Sequence, residues 1–172
     1  MKRTTRLFLL ILPLLVPGMA SADSAMKPAT IGVGPHGYDW LIGTWTCTNS
    51  MPSAMSGPAT TTLVAMKPAD GAVGFHVTGK GFDGAGYIAY DAKTKTWSNP
   101  IALGNGAAGL ETSRQTGAKT MWTGMFMDPS SGKHTGIRDT YTMSGMNEYY
   151  DVTEINEGGT WKTVAKTTCK KS

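Results

Sequence analysis

The sequence predicts an all-β protein, a single antiparallel up-and-down β-barrel of about ten strands with a short N-terminal helical turn. Short segments with alternating side chains recur about every 12 residues and are separated by Gly-, Asn- and Asp-rich turns. No interval between them has room for a convincing crossover helix, which argues against a parallel sheet. The only two cysteines, Cys47 and Cys169, lie in the first and last of these segments, which are neighbours in a closed meander.

The N-terminus has the pattern of an export signal. Lys2, Arg3 and Arg6 precede an apolar run at 7–16 and a small-x-small site at 20–22. We therefore expect an exported protein, periplasmic or secreted and bacterial, without a transmembrane segment. The expected divisions are a signal peptide at 1–22, a flexible leader at 23–35 and a barrel domain at 36–172.

The charge of the chain does not favour nucleic acid as a partner. The sequence has 16 basic and 12 acidic residues. Removal of Lys2, Arg3 and Arg6 leaves 13 basic against 12 acidic residues. The basic balance therefore belongs mostly to the expected signal peptide, and no nucleic-acid partner is predicted.

The segment 38–48 predicts the closed end of the barrel. Its first residues, 38–42, place apolar side chains at helical spacing and predict a short helical turn. Beyond Gly43, Trp45 and Cys47 alternate with threonines, as in a half-buried strand. We expect Gly43 to allow a sharp bend and Trp45 to plug the barrel.

The remaining strands follow from the same alternation and from the turns between them. Pro100 cannot donate to a ladder, so its strand is expected to be bent, bulged or short. The ten predicted strands are 43–49, 59–67, 72–80, 85–91, 96–103, 110–115, 119–127, 134–143, 148–155 and 160–169.

Two features predict the face that each late strand presents to the lumen. An oxidising compartment makes a Cys47–Cys169 disulfide the default. Lysines should face water, which would turn Trp161 inward with Cys169 in the last strand. By the same test, Glu148 and Glu154 should turn Tyr149, Asp151 and Thr153 inward.

Motifs for cofactors and metals are weak in this chain. The matches to Gly-x-Gly-x-x-Gly at 79–84 and 104–109 lack the following helix that a dinucleotide site needs. His36, His76 and His134 have no metal-ligand spacing. No cofactor, metal ligand or catalytic residue is predicted.

Several side chains are candidates for contact with a small molecule. Arg138, helped by Tyr149 and Arg114, is predicted to anchor an anionic head through its planar guanidinium. An alternative places both arginines on the rim or exterior, paired with acids. Trp97, Met121 and Met125 are predicted to line the apolar body of the ligand, and methionines can also bind copper.

The run from Tyr38 to Thr48 resembles the Gly-x-Trp opening of the calycin barrels, which include lipocalins, fatty-acid-binding proteins and nitrobindins. The segments 86–91, 95–97, 138–141 and 159–162 are similar to a bacterial exported family of unknown function with a lipocalin-like barrel. This resemblance implies a cup for a small, mostly apolar molecule. Haem binding, which nitrobindin would imply, needs a late histidine, and none follows His134.

The expected function is therefore the binding of a small amphiphilic or hydrophobic molecule by a non-catalytic barrel. The alternatives are an envelope structural or stress protein with a filled barrel, a weak hydrolase or isomerase, and a haem or copper binder. The fold alone does not distinguish these classes. The sequence does not predict the oligomeric state.

Overall fold

The computed structural model describes residues 31–52 and 57–172, which form a closed ten-stranded antiparallel barrel. Each strand pairs with its neighbours in chain order, and the last strand pairs with the first. The predicted fold class is confirmed. The strands are β1 (Gly43–Asn49), β2 (Thr60–Ala69), β3 (Ala72–Gly79), β4 (Phe82–Asp91), β5 (Thr96–Leu103), β6 (Ala108–Ser113), β7 (Lys119–Met127), β8 (His134–Met143), β9 (Glu148–Glu157) and β10 (Thr160–Lys171).

A short N-terminal segment closes one end of the barrel. It contains two 3₁₀ turns, Gly34–His36 and Asp39–Leu41. Ile31 is fully buried and exchanges two backbone hydrogen bonds with Gly117, of 2.9 and 3.0 Å. The part of the expected flexible leader that the structure describes, 31–35, therefore begins with a packed residue.

Tyr38 is the centre of this closing segment, which we call the plug (residues 31–42). Its ring packs edge-on against Trp97 and Trp122, with centroids 4.8 and 5.4 Å away. Its hydroxyl accepts a 2.9 Å hydrogen bond from Trp122 Nε1 and lies 3.3 Å from Thr120 Oγ1. Burial raises the pKa of Tyr38 to about 12, because the phenolate would be desolvated.

Gly43 joins the plug to β1. Its φ of +128° lies in a region that favours glycine, and a Cβ there would lie 2.8 Å from Cε of Lys171. The turn places Trp45 in the core, where it is fully buried and donates a 2.7 Å hydrogen bond from Nε1 to the carbonyl of Leu41. The Lys171 ammonium lies 5.2 Å from the centroid of the Trp45 ring. Gly43, predicted to allow a sharp bend, therefore lies at the turn from the plug into β1, and Trp45 packs in the core directly after it.

The seam between β1 and β10 carries a covalent bond. Cys47 and Cys169 are directly opposite in the register and form the predicted disulfide. Both residues are buried, at 3% and 2% exposure. The bond joins positions 122 residues apart in the chain, so it fixes the closure of the whole sheet.

One prediction about the last strand is wrong. The register between β9 and β10 shifts between Thr163 and Ala165, where a β-bulge adds one residue to β10. Cys169 and Ala165 face inward as expected, but Trp161 lies on the outer face, opposite Asn156. Simple alternation along the strand fails because the extra residue reverses the side-chain parity.

The expected signal peptide and most of the expected leader, residues 1–30, lie outside the described residues. None of the helical segments in residues 31–52 and 57–172 has the length and apolar character that a membrane-spanning helix requires.

Removal of the seam disulfide should destabilise the protein strongly. We expect the paired substitution Cys47→Ala and Cys169→Ala to lower the free energy of unfolding by about 2–5 kcal/mol, since it frees a long loop in the unfolded chain. Urea unfolding followed by tryptophan fluorescence measures the change. An unchanged midpoint would show that strand pairing alone holds the seam closed.

Loss of the Tyr38 hydroxyl should destabilise the plug. The substitution Tyr38→Phe keeps the ring packing but leaves the buried Trp122 Nε1–H without its acceptor. We expect a loss of about 1–3 kcal/mol in the free energy of unfolding. Tyr87→Phe, at a 52% exposed position, is the matched control and should change stability little.

A candidate ligand cavity with a buried carboxyl cluster

The barrel encloses a cavity of about 740 Å³. Its walls are mostly apolar side chains that alternate inward along the strands. The main apolar lining residues are Leu63, Phe75, Val77, Ile88, Ile101, Leu103, Phe126, Ile137 and Ile155. The cavity therefore offers the non-polar lining that is usual in sites for small molecules.

The two ends of the cavity differ. The plug covers one end with the side chains of Tyr38, Trp40 and Leu41. At the other end, which we call the mouth, exposed residues of the connecting loops and of the end of β9 contribute to the lining. These mouth residues are Asn105, Asp128, Pro129, Ser130, Lys133 and Glu157. The cavity therefore reaches solvent at the mouth, away from the plug.

Three acidic side chains project into the interior of the barrel from β6, β8 and β9. Glu111 is 1% exposed and Asp139 is 6% exposed, while Asp151 is partly buried and lines the cavity. Each occupies an inward position in its strand, where alternation would otherwise place an apolar residue. We call Glu111, Asp139 and Asp151 the carboxyl cluster.

The sheet register explains how two of these carboxyls meet. Glu111 is opposite Gly124 on β7, and Asp139 on β8 is opposite Trp122, two residues further along β7. Gly124 has no side chain, so that of Glu111 can extend across β7 towards Asp139. A Cβ at Gly124 would lie 1.9 Å from the carbonyl oxygen of Leu110, so the position admits only glycine.

The polar atoms of the cluster are poorly satisfied. No donor among the described residues gives a hydrogen bond to either Oε of Glu111 or to Oδ1 of Asp139 or Asp151. Asn99, opposite Glu111 on β5 and 1% exposed, also has both side-chain polar atoms unpaired within the described residues. Buried polar atoms without partners are costly and uncommon in native proteins.

Burial and mutual repulsion shift the ionisation of the cluster towards the neutral acids. Desolvation, with the neighbouring Asp139 carboxyl, raises the pKa of Glu111 to about 10. Desolvation also raises the pKa of Asp139 and, together with the charge of Asp139, that of Asp151. The Glu111 and Asp139 carboxyls can form a hydrogen bond with each other only when one of them is protonated.

Two tyrosines form the wall beside the cluster. Tyr141 and Tyr149 both line the cavity, with ring centroids 6.0 Å apart. Tyr149 also packs edge-on against Trp40 and Trp45, at 5.2 and 5.1 Å. Burial and the nearby carboxyls raise the pKa of both hydroxyls, so the phenols stay neutral.

The structure brings some of the predicted contact residues to the lumen. Tyr149 lines the cavity beside Asp151 and Thr153, as the alternation of β9 predicts. Trp97 faces inward and is 1% exposed, but it packs against Tyr38 and Tyr90 in the core below the cavity. Its indole N–H donates to the carbonyl of Gly32, at 3.1 Å.

The two arginines lie outside the barrel, so their expected inward orientation is wrong. Arg138 makes two hydrogen bonds, of 2.6 and 3.1 Å, to the carboxylate of Glu154 and lies 4.5 Å from the centroid of the Trp161 ring. Arg114 is exposed and donates to Thr96 Oγ1, at 2.9 Å. The alternative that placed both on the exterior describes them better, although only Arg138 is paired with an acid.

The two methionines of β7 also face outward, contrary to prediction. Met121 is half-buried and Met125 is 48% exposed, and neither lines the cavity. The opposite face of β7 carries Trp122 and Phe126, which enter the core and the cavity wall. Both faces of this strand are apolar, and the larger aromatic side chains occupy the inside.

Sequence reasoning missed Glu111 and Asp139. Asp139 alternates with Ile137, Tyr141 and Met143, and this pattern could have identified an acid on an apolar face. Glu111 has no such pattern, because Leu110 at the neighbouring position is the apolar residue and yet is 54% exposed.

The described residues contain no group of three or more His, Cys, Asp or Glu side chains placed to hold a metal ion. No known protein-family model matches the chain, and no curated protein matches it significantly.

The carboxyl cluster should make stability fall as pH rises. Glu111 has a folded-state pKa of about 10 against a usual value of 4.5. Above about pH 5 the folded protein therefore holds a proton that the unfolded chain has released. The free energy of unfolding falls by roughly 1.4 kcal/mol per pH unit for each such proton. The stabilisation is complete below the unfolded pKa and is lost as pH approaches the folded pKa.

Urea unfolding at several pH values between about 5 and 8 measures this slope. Glu111→Gln should reduce it, since the amide cannot titrate. Asp91→Asn, at an exposed site whose carboxyl accepts hydrogen bonds only within its own turn, should leave it unchanged. Equal slopes in Glu111→Gln and the parent would show that Glu111 ionises normally in the folded protein.

Proposed function

We propose that this chain is an exported, calycin-like barrel that binds a small amphiphilic or hydrophobic molecule in its lumen. The observation that carries the proposal is the cavity of about 740 Å³, lined mainly by apolar side chains and reaching solvent at the mouth. Sites for small molecules usually have volumes of about 300–1,000 Å³ and a few polar groups in an apolar lining.

Two other features support export and the calycin relationship. The buried disulfide between Cys47 and Cys169 is typical of proteins that fold in an oxidising compartment. The closed meander beginning at Gly43 and Trp45 has the arrangement that the Gly-x-Trp resemblance implies. Neither feature selects a ligand.

The cavity favours a binder over a structural protein with a filled barrel. A filled barrel would place interdigitating side chains throughout the interior at the density of a normal core. Here the aromatic core fills the plug end, whereas the half towards the mouth leaves space between Phe75, Ile101 and Phe126.

An acid–base enzyme is the second candidate, because the carboxyls with raised pKa adjoin a cavity. Such groups are typical of catalytic sites, although structural networks also perturb pKa. A catalytic acid at neutral pH works best with a pKa near 7, and Glu111, at about 10, is far above this value. Binding therefore remains the favoured proposal.

The neutral dye N-phenyl-1-naphthylamine tests the proposal, because its fluorescence rises in apolar surroundings. We expect the parent protein to enhance the emission, and Leu103→Trp to weaken dye binding about tenfold or more by filling the cavity, which corresponds to about 1.4 kcal/mol. Leu103 lines the cavity.

The matched control is Leu110→Trp, since Leu110 is on the outer face and 54% exposed. This variant should bind the dye as the parent does. Absence of any enhancement in the parent, or equal weakening by both substitutions, would contradict binding in the lumen.

A further inference from the structure

We propose that the lumen selects ligands whose polar head is a protonated amine, bound at the carboxyl cluster with the apolar body extending towards the mouth. This inference rests on the proposed function and specifies the class of ligand. A cationic head differs from the anionic head that the sequence predicted for binding by Arg138 and Arg114.

The hydrogen-bonding groups of the cluster fit an ammonium head. Asp139 and Asp151 both line the cavity, and the Oδ1 atom of each receives no hydrogen bond from the described residues. Asp139 is only 6% exposed. An ammonium group carries three donors and no acceptor, which complements acceptors of this kind. The unpaired amide oxygen of Asn99 offers one more acceptor in the interior behind the cavity wall.

No basic side chain of the described residues occupies the interior near these acids. Lys133 is the only basic residue among those lining the cavity, and it is exposed at the mouth. Arg138 and Arg114 are held on the outer face by Glu154 and Thr96. The protein therefore gathers two buried acids and one partly buried acid without supplying the cation that usually accompanies such groups.

The aromatic wall provides a second, independent fit to a cation. Tyr141 and Tyr149 line the cavity beside the cluster, and Trp40 lies 5.2 Å from Tyr149 between ring centroids. The faces of such rings attract ammonium groups, most strongly where water is excluded. An anionic head would be repelled by the ring faces and would form no ion pair with the carboxyls.

The shape of the cavity accounts for the rest of the ligand. From Asp139 and Asp151 the lining continues through Ile137 and Ile155 to Leu103 near the mouth. Burial of apolar ligand surface along this wall favours binding through the hydrophobic effect. A ligand with an apolar chain or ring system attached to one amine satisfies both regions.

Binding of an ammonium ion should release a proton. The ammonium pairs with the carboxylate of Asp139 or Asp151, which line the cavity. The acid that was protonated before binding loses H⁺ to solvent, while the amine keeps its own protons. The groups that titrate beside Glu111, Asp139 and Asp151 are Tyr141 and Tyr149. The neighbouring inward side chains on β5, β7 and β10, Asn99, Trp122 and Thr167, do not titrate.

Competition against N-phenyl-1-naphthylamine with three ligands of equal chain length tests the inference: n-octylammonium, 1-octanol and octanoate. We expect octylammonium to displace the dye at an about tenfold lower concentration than 1-octanol, and octanoate to be the weakest. One charge-assisted hydrogen bond changes affinity about ten- to hundredfold, which accounts for the expected preference for octylammonium over 1-octanol.

Asp139→Asn should weaken octylammonium about tenfold or more and leave 1-octanol unchanged. The exposed Asp83→Asn is the matched control and should alter neither. Equal loss of octylammonium binding in both variants, or none in Asp139→Asn, would contradict the assignment. Asp151→Asn, at the other acid of the cluster that lines the cavity, provides the same comparison if Asp139→Asn does not fold.

Titration calorimetry of the parent protein with octylammonium needs no variant. Heats measured near pH 7 in phosphate and in Tris should differ, because the released proton is taken up by buffers of different ionisation enthalpy. Equal heats would overturn the proposed exchange. If 1-octanol and octylammonium bind equally, the head-group inference fails and the proposed function stands; if the dye and all three ligands fail to bind, both fail.

Discussion

Closure of the sheet between β1 and β10 is the constraint on which the rest of the structure depends. An open ten-stranded meander would leave two unpaired strand edges and would not enclose an interior. The pairing of β1 with β10 removes both edges, and the Cys47–Cys169 bond fixes the register at the centre of that seam. Trp45 and Lys171 pack against each other two residues away from the bond, so the first and last strands of the barrel are in contact at this seam.

Closure produces an interior with two different halves. At the plug, tryptophan and tyrosine side chains fill the space. The indole N–H groups of Trp45, Trp97 and Trp122 donate to backbone carbonyls or to the Tyr38 hydroxyl. Towards the mouth, the side chains are aliphatic or phenyl and leave a cavity. Glu111, Asp139 and Asp151 lie where acids are costly, and protonation lowers that cost. This combination concentrates hydrogen-bonding capacity in one region of an otherwise apolar chamber.

The sequence predicts the parts of this arrangement that depend on local pattern. Alternation and turn residues predict ten strands, and Glu148 and Glu154 correctly mark the outer face of β9 because their charges favour water. The pattern fails where alternation is interrupted or ambiguous. The bulge after Thr163 reverses the parity of β10 and carries Trp161 outside, and no residue type marks it.

The candidate site shows a similar limit. On β7 both faces are apolar, so only the packing of Trp122 against Tyr38 decides that Met121 and Met125 face out. The proximity of Glu111 to Asp139 depends on the absence of a side chain at Gly124 between them, which is a property of three paired strands. Such contacts between distant residues depend on the register of the paired strands, which cannot be read from the sequence of any single strand.

The span of the disulfide has a consequence for resistance to proteases. Positions 47 and 169 enclose almost the entire barrel, including every loop at the mouth. A single cut in any of those loops leaves both fragments covalently tethered, with their strands still held in the same sheet. A protease can therefore cut one loop at the mouth without releasing either fragment from the molecule. The sequences of these loops can also vary.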